Sequence, residues 1–504
     1  MPIAAKVALL IVLGLMVGAG VAFAPVLAFT AVAATLGTLI WYVNRVSRVS
    51  SAKIGRIGQP RRKKARSTLT TKLVSTFLLL WWLALIAPLL AFTPRDISDA
   101  AQTSVGGSLL NQLLFISFGF VGFLFLPRAI RRFDPAFRWI VGLWTLHLGW
   151  TFLSLFWSVY PPITLRNAVA FVLVSVGSFG LGAGFYGAHP QGRDLFLRHV
   201  FAAGILSALI ILLPLPFRWG EYDLLDPSQR LAIGGGFPYL VVRPVICALL
   251  VLAATAVLRV RDWRSHDWVW VAILLSPLLV LKSRGPILYA LLAFGIFYLL
   301  YKARIRDRIL QGAALLVTGL GAFVYFSTGV LEVLVSYLTR GDVEATMDLT
   351  GRIPLWEIVI PEIKENPIVG VGFAAFWNPE SLASMELRVG FPVVSAHSGF
   401  FDMMLGTGVV GLAILMVFCL YAIALVVRRA RRGDTLGWLV FVFLVFYLLS
   451  NLTVSIFTEF LEIPLILILA MLGLMASGPP GARPQSGPEA SAKTRLTEHV
   501  GASQ

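Results

Sequence analysis

Long apolar runs separated by short polar segments recur along most of the chain. Many of these runs are long enough to cross the roughly 30 Å hydrocarbon core of a bilayer as a helix. Lipid offers no hydrogen-bond partners, so a run that crosses it must satisfy its own backbone groups as a helix. The pattern predicts an all-α polytopic bundle of about fourteen transmembrane helices. The predicted spans are 7–23, 26–43, 73–92, 109–126, 139–157, 165–186, 200–216, 240–258, 268–281, 286–301, 309–328, 399–427, 435–452 and 462–476.

The distribution of charged residues between the loops supports this arrangement of spans across the membrane. With the N-terminus in the cytoplasm and loops alternating, loop 44–72 is cytoplasmic and carries ten Lys and Arg residues and no acid. About 31 of the 42 basic residues then lie inside, and about 17 of the 25 acids lie outside. This distribution predicts a multi-pass membrane protein with both termini in the cytoplasm.

The predicted spans divide the chain into five parts. Residues 1–72 form an N-terminal two-helix addition with its basic loop, which precedes a core of about twelve helices. The membrane core covers 73–328, and a long outer loop covers 329–398. The last membrane helices lie in 399–476, and the tail 477–504 is rich in Pro, Gly, Ser and Ala, which predicts a disordered cytoplasmic end.

The long outer loop is the most unusual part of this pattern, because loops of that length in compact proteins are usually functional. Residues 353–365 predict a short amphipathic helix, with Pro361 expected to kink it and Asn366-Pro367 to end it. The apolar positions expected to pack onto the membrane domain or its interface are Leu355, Trp356, Val359, Ile360 and Ile363.

Composition excludes a soluble protein, since hydrophobic residues make up 58% of the chain and mean hydropathy is +0.83. The net charge of +17 is explained by the cytoplasmic loops, so we expect contact with membrane lipids and no nucleic acid. The sequence has no HExxH, CxxC or P-loop motif, and we predict no metal and no cofactor. Two spaced acidic pairs, Glu221/Asp223 and Asp342/Glu344, are the weaker alternative of a cation site.

Arginines on the predicted outer side need another explanation than topology. Arg284 stands in a tight turn between two apolar runs and next to Lys282, and charge at membrane depth is costly enough to indicate function. Arg230, Arg243 and Arg352 share the outer side. Guanidinium groups bind phosphate oxygens in pairs, so the set suggests a phosphorylated, lipid-linked substrate.

His397 is the candidate base. It lies where the long outer loop re-enters the membrane, and its ordinary pKa near 6.5 suits proton abstraction from a hydroxyl. A lone histidine is also often a hydrogen-bonded structural residue, so spacing alone leaves both interpretations open. Asp402 follows five residues later and is a candidate to orient the histidine or to contact substrate.

These segments occur in an order that resembles the O-antigen ligase and polymerase superfamily, which includes exopolysaccharide polymerases. The resemblance spans residues 150–475. The matching pieces are Ser154–Pro161, Thr164–Arg166, Arg230 with Gly234, Ser283–Gly285, Gly351-Arg352, Trp356, Asn366-Pro367, Gly370–Phe373 and Ala396–Asp402 with Gly408 and Gly411. Ser398 departs from the family, in which asparagine is common at that place.

The resemblance implies a GT-C-like bundle and a metal-independent, inverting glycosyltransferase. Such an enzyme moves a glycan from a polyprenyl (undecaprenyl) diphosphate carrier to an acceptor hydroxyl at the periplasmic face of the bacterial inner membrane. It implies that His397 is the general base and that Arg284 and Arg230 bind the diphosphate. Arg352, Arg243, Lys282, Trp356 and Asp402 are then expected to bind substrate.

Three functions stay open at this point. A polymerase and an O-antigen ligase share this chemistry and differ in the acceptor, which is a carrier-linked repeat in the first and a lipid A-core sugar in the second. Phe373–Trp377 and His397–Asp402 favour the exopolysaccharide polymerase. A precursor transporter or flippase is the more distant alternative, since it predicts internal repeats and a polar path through the midplane, and the polar residues here cluster outside. Other polysaccharide assembly proteins are candidate partners.

Overall fold

The computed structural model describes residues 109–130, 133–189, 191–212, 239–258, 267–280, 284–302, 352–389, 393–459 and 462–477. Within these ranges the chain forms helices and no strand. The helices are α1 Leu109–Ile130, α2 Pro135–Leu153, α3 Pro161–Gly180, α4 Gly192–Leu212, α5 Tyr239–Val257, α6 Asp267–Val280, α7 Arg284–Lys302, α8 Arg352–Glu365, α9 Pro379–Val389, α10 Gly399–Arg431, α11 Thr435–Ser450 and α12 Ile463–Ala476. A 3₁₀ turn, Ser154–Trp157, extends α2, and a π-helical turn, Leu181–Tyr186, extends α3.

Ten predicted spans correspond to observed helices with shifted ends. Among the described residues, three stretches are long and apolar enough to cross a membrane, namely Pro135–Trp157, Pro161–Tyr186 and Gly399–Arg431, and shorter apolar helices accompany them. The predicted spans 7–23, 26–43, 73–92 and 309–328 lie outside the described residues, so the number fourteen stays a prediction.

Burial distinguishes central helices from outer ones. Every residue of α12 is buried, and most residues of α11 are buried as well. Both helices are apolar on all sides, which is typical of helices surrounded by protein. By contrast, α2 exposes Trp139, Leu146 and Phe152. Large apolar side chains on one exposed face suit contact with lipid.

The segments predicted to be cytoplasmic lie together at one end of the bundle. Arg429 forms an ion pair with Asp134, and Arg193 lies 2.8 Å from Asp434. The backbone N–H of Asp134 also donates to the carbonyl of Ala476 at 3.2 Å. The segments predicted to be external meet at the opposite end of the bundle, as the alternation of inner and outer loops predicts. They are the turn 154–160, the segments 366–378 and 393–402, and the loop 451–459. The assignment of this second end to the periplasm stays a prediction.

The long outer loop contains more structure than its pattern predicted. The helix predicted over 353–365 is found as α8, which continues past Pro361 and ends at Glu365. Leu355, Val359 and Ile363 are buried, and the side chain of Ile360 is 38% exposed. A second helix, α9, was not predicted; its Met385 packs in the same cluster as the buried face of α8.

Candidate functional site

A break in α10 shapes the outer end of the bundle. Gly408 interrupts this helix with φ 64° and ψ −171°, a backbone conformation that side chains other than glycine rarely adopt. A break of this kind leaves backbone N–H and C=O groups without helical partners, which is tolerated at membrane depth only where protein supplies replacements.

The segment 366–372 supplies those replacements. It lies against the break and pairs with it on both sides, as two strands would pair. The bonds run from Val371 N to Leu405 O (2.8 Å), Gly372 N to Gly406 O (2.9 Å), Val409 N to Pro367 O (2.9 Å) and Val410 N to Ile368 O (3.3 Å). A Cβ at Gly408 would lie 2.1 Å from the carbonyl oxygen of Ile368. The inserted segment therefore supplies hydrogen bonds to the broken helix, and the glycine at the break leaves room for the inserted segment.

The turn after α2 holds the same segment from its other side. Ser154 Oγ accepts a hydrogen bond from Phe373 N at 2.9 Å, and Trp157 Nε1 donates to Val369 O at 3.1 Å. Val159 N donates to the carbonyl of Val371 at 3.0 Å. Three pieces of the predicted pattern, at 154–161, at 366–373 and around Gly408, are thus parts of one structure.

His397 stands at the end of the outer loop, two residues before α10 begins. Its φ is 50°, in the left-handed region that is uncommon outside glycine, and such strain persists only where the surroundings enforce it. The side chain is partly buried, and its ring makes no hydrogen bond to any residue that the structure describes. The ring is therefore held in place through its backbone.

Ala396, the residue before His397, is held at both of its backbone groups. Its N–H donates to Asp402 Oδ1 at 3.1 Å, and its carbonyl accepts from Trp356 Nε1 at 2.8 Å. The same Asp402 oxygen accepts from Trp377 Nε1 at 2.7 Å. We call Trp356, Trp377 and Asp402 the Ala396 clamp. It joins α8, the loop core and the first turn of α10 directly behind His397.

Electrostatics keep the imidazole neutral. Burial lowers the pKa of His397 to about 4, and the positive charge of Arg352 adds to the lowering. Arg352, the first residue of α8, is therefore close enough to His397 to act on its charge. At neutral pH the ring is free of a proton and able to accept one.

The other predicted cations have different surroundings. Arg243 is buried and forms ion pairs with Glu462 and, at 3.5 Å, with Glu459. These carboxylates offset its charge, as a buried guanidinium requires. Arg284 is the first residue of α7, so the turn predicted at 282–286 is partly helix. Arg230 and Lys282 lie outside the described residues.

Sequence reasoning missed several residues that build this end of the bundle. Trp377 was named only as the end of the segment Phe373–Trp377, and Asn451, Glu459 and Glu462 were not singled out. The signal in the sequence that could have indicated them is the set of Ser, Asn, Thr and Glu residues within 450–462, which separates two strongly apolar runs. Among the described residues, no three His, Cys, Asp or Glu side chains come together as a metal site would need. The acidic pairs at 221–223 and 342–344 lie outside those residues.

The fold and the clustered outer residues define a class before any comparison: a multi-pass helical membrane protein with a histidine site at one end of the bundle. Residues 269–416 match a family model described as O-antigen ligase. The matched segment contains Arg284, Arg352 and His397, and it confirms the predicted resemblance to the O-antigen ligase and polymerase superfamily. Among curated proteins, none matches the chain.

The match has direct implications for activity. It supports a glycosyltransferase role of the O-antigen ligase or polymerase type, and it implies a lipid-linked glycan substrate in a membrane setting. Together with the apolar helices, it indicates a multi-pass membrane protein.

Proposed function

We propose that the protein is an inner-membrane polymerase that transfers a glycan from a polyprenyl diphosphate carrier to a sugar hydroxyl at the periplasmic face. The observation that carries this proposal is the state of His397. Its backbone is clamped, its ring is neutral and it makes no hydrogen bond to a described residue. A neutral ring in a fixed position can accept a proton from a hydroxyl that comes within hydrogen-bond reach.

The proposed reaction is a single displacement. The acceptor hydroxyl attacks the anomeric carbon of the donor, and the bond from that carbon to the diphosphate oxygen breaks. The hydroxyl proton passes to the His397 ring, and the bonding electron pair leaves with the polyprenyl diphosphate. Attack from the side opposite the leaving group inverts the anomeric centre.

In this proposal, arginines bind the diphosphate leaving group. Arg284 and Arg230 hold the diphosphate and stabilise the charge that grows on it, which is the larger part of catalysis in many enzymes. Arg352 adds positive charge beside His397. An anionic diphosphate near Arg352 offsets that charge and makes the imidazole a better proton acceptor during the reaction.

Arg243 has a structural role in this proposal. Its two carboxylate partners already engage its charge. We therefore assign it to the scaffold that holds the outer loops rather than to direct diphosphate contact. The proposed mechanism needs no metal, because the arginines provide the positive charge that a metal ion would otherwise supply.

The O-antigen ligase is the second candidate, and the description of the matching family favours it. Both candidates use the same residues and differ in the acceptor. The glycans of a host carrying His397→Ala separate them. A polymerase leaves single repeats on the carrier and no long chains, whereas a ligase leaves long chains stranded on the carrier. Unchanged glycan, with the variant present at normal level in the membrane, overturns both.

A further inference from the structure

The loop between α11 and α12, residues 451–459, is built around one side chain. Asn451 is fully buried (0% exposed). Its Oδ1 accepts hydrogen bonds from Ile456 N at 2.9 Å and Phe457 N at 2.8 Å, and its Nδ2 donates to Tyr447 O at 2.7 Å. A buried amide with these partners fixes the loop in one conformation, because leaving any of these groups unpaired is costly.

The backbone of Asn451 also holds the start of α10. Its carbonyl accepts from Gly399 N at 2.9 Å and from Ser398 Oγ at 3.4 Å. A Cβ at Gly399 would lie 1.8 Å from Asn451 Oδ1, so the Asn451 side chain packs directly against the backbone of Gly399. His397 is two residues before Gly399. The loop therefore fixes the chain directly after His397, and the Ala396 clamp fixes it directly before.

The same loop reaches the two helices that carry outer arginines. Thr453 Oγ1 and the Tyr289 hydroxyl lie 2.6 Å apart, and Tyr289 is five residues after Arg284, where α7 begins. At the far end of the loop, Glu459 and then Glu462 form ion pairs with Arg243 of α5. One loop thus touches α5, α7 and α10.

We propose that Asn451 is a positioning residue of the active site, which keeps His397 in register with the helices that carry Arg284 and Arg243. It touches no substrate and acts through the loop that it folds. The inference rests on the proposed function, in which His397, just before α10, activates the acceptor hydroxyl while Arg284 of α7 holds the donor diphosphate. A misplacement of about 1 Å between such groups costs a rate on the order of 10²-fold.

The Tyr289–Thr453 hydrogen bond offers a mild test, because it can be removed without opening a large cavity. We would measure kcat and donor affinity of the full-length protein in lipid nanodiscs, with a polyprenyl diphosphate-linked glycan as donor. We expect Tyr289→Phe and Thr453→Val each to lower kcat by about 3- to 10-fold while the donor Kd changes less than about 2-fold. The double variant is expected to be no worse than either single one, since both remove the same bond.

Tyr421→Phe is the matched control. The Tyr421 hydroxyl donates to the Ala136 carbonyl at 3.2 Å, near the opposite end of the bundle, so its loss is expected to leave kcat unchanged. Asn451→Ala tests the residue itself, with an expected loss in kcat on the order of 10²-fold. If this variant does not fold, the Tyr289 and Thr453 variants still decide the matter.

Two results overturn the inference. One is a Tyr289→Phe enzyme as fast as the Tyr421→Phe control. The other is a loss of kcat matched by an equal loss of donor binding, which indicates general damage rather than misplacement. Both outcomes are distinct from failure of the proposed function, which shows as full activity of His397→Ala under the same assay.

Discussion

Asp402 Oδ1 accepts a hydrogen bond from the backbone N–H of Ala396 at 3.1 Å, and this bond connects the first turn of α10 to the residue before His397. Asp402 is buried, and its partners are the backbone of Ala396 and the indole of Trp377, not the imidazole ring. Its role in this geometry is to fix the backbone that presents His397.

Asp402 variants separate this role from a role for its charge. Asp402→Asn keeps an oxygen that can accept from Ala396 N and Trp377 Nε1, so we expect it to retain activity within about 10-fold of the native enzyme. Asp402→Ala leaves two buried donors unpaired and is expected to lower kcat on the order of 10²-fold. Initial rates of glycan transfer measure both. An Asn variant as inactive as the Ala variant contradicts a backbone role and indicates that the negative charge itself is needed.

Gly408 is expected to be irreplaceable for stability. Gly408→Ala places a Cβ 2.1 Å from Ile368 O and forces an alanine to φ 64°. The φ strain alone costs about 1–3 kcal/mol, and the contact with the backbone adds to it. Thermal unfolding of the protein in detergent measures the effect. Gly295→Ala is the control, because a Cβ there meets nothing within 4 Å. Equal melting temperatures for the two variants would show that the inserted segment does not depend on this glycine.

The pH dependence of kcat/KM tests the electrostatics of His397. A base works only when unprotonated, so activity is lost as the pH falls through its pKa. Burial and Arg352 lower that pKa to about 4, so we expect the acid limb of the profile near pH 4 rather than near the ordinary value of 6.5. In Arg352→Gln the nearby positive charge is gone, the protonated ring is less disfavoured, and the limb moves to higher pH. An acid limb at the same pH in both enzymes contradicts the influence of Arg352.

Apolar patterning predicted the helices well because membrane spans are a property of local composition. The described helices from α1 to α7 and from α10 to α12 overlap predicted runs. The helix α9 was missed because it is short and only about half of its residues are apolar. It depends on contacts such as that of Met385 with the cluster beneath α8, which no local pattern shows.

The residues proposed for the site stand out in the sequence, whereas the backbone contacts that build this end of the bundle do not. His397 and the outer arginines stand out because charge and titratable groups are rare in this chain. The insertion of 366–372 into the break at Gly408 depends on backbone hydrogen bonds, which side-chain patterns do not encode. Asn451 escaped notice for a related reason, since a single asparagine at the end of an apolar run is ordinary until its partners are known.

The central claim is that His397 is the base that activates the acceptor hydroxyl. The most direct measurement is glycan transfer by purified His397→Ala in lipid nanodiscs, together with binding of the polyprenyl diphosphate-linked donor. His189→Ala is the matched control, because His189 lies near the opposite end of the bundle, where its Nδ1 accepts from Gln191 N. The account predicts that His397→Ala loses transfer by about 10²- to 10⁴-fold and still binds donor, while His189→Ala transfers normally. Transfer by His397→Ala at the rate of the His189→Ala control would contradict it.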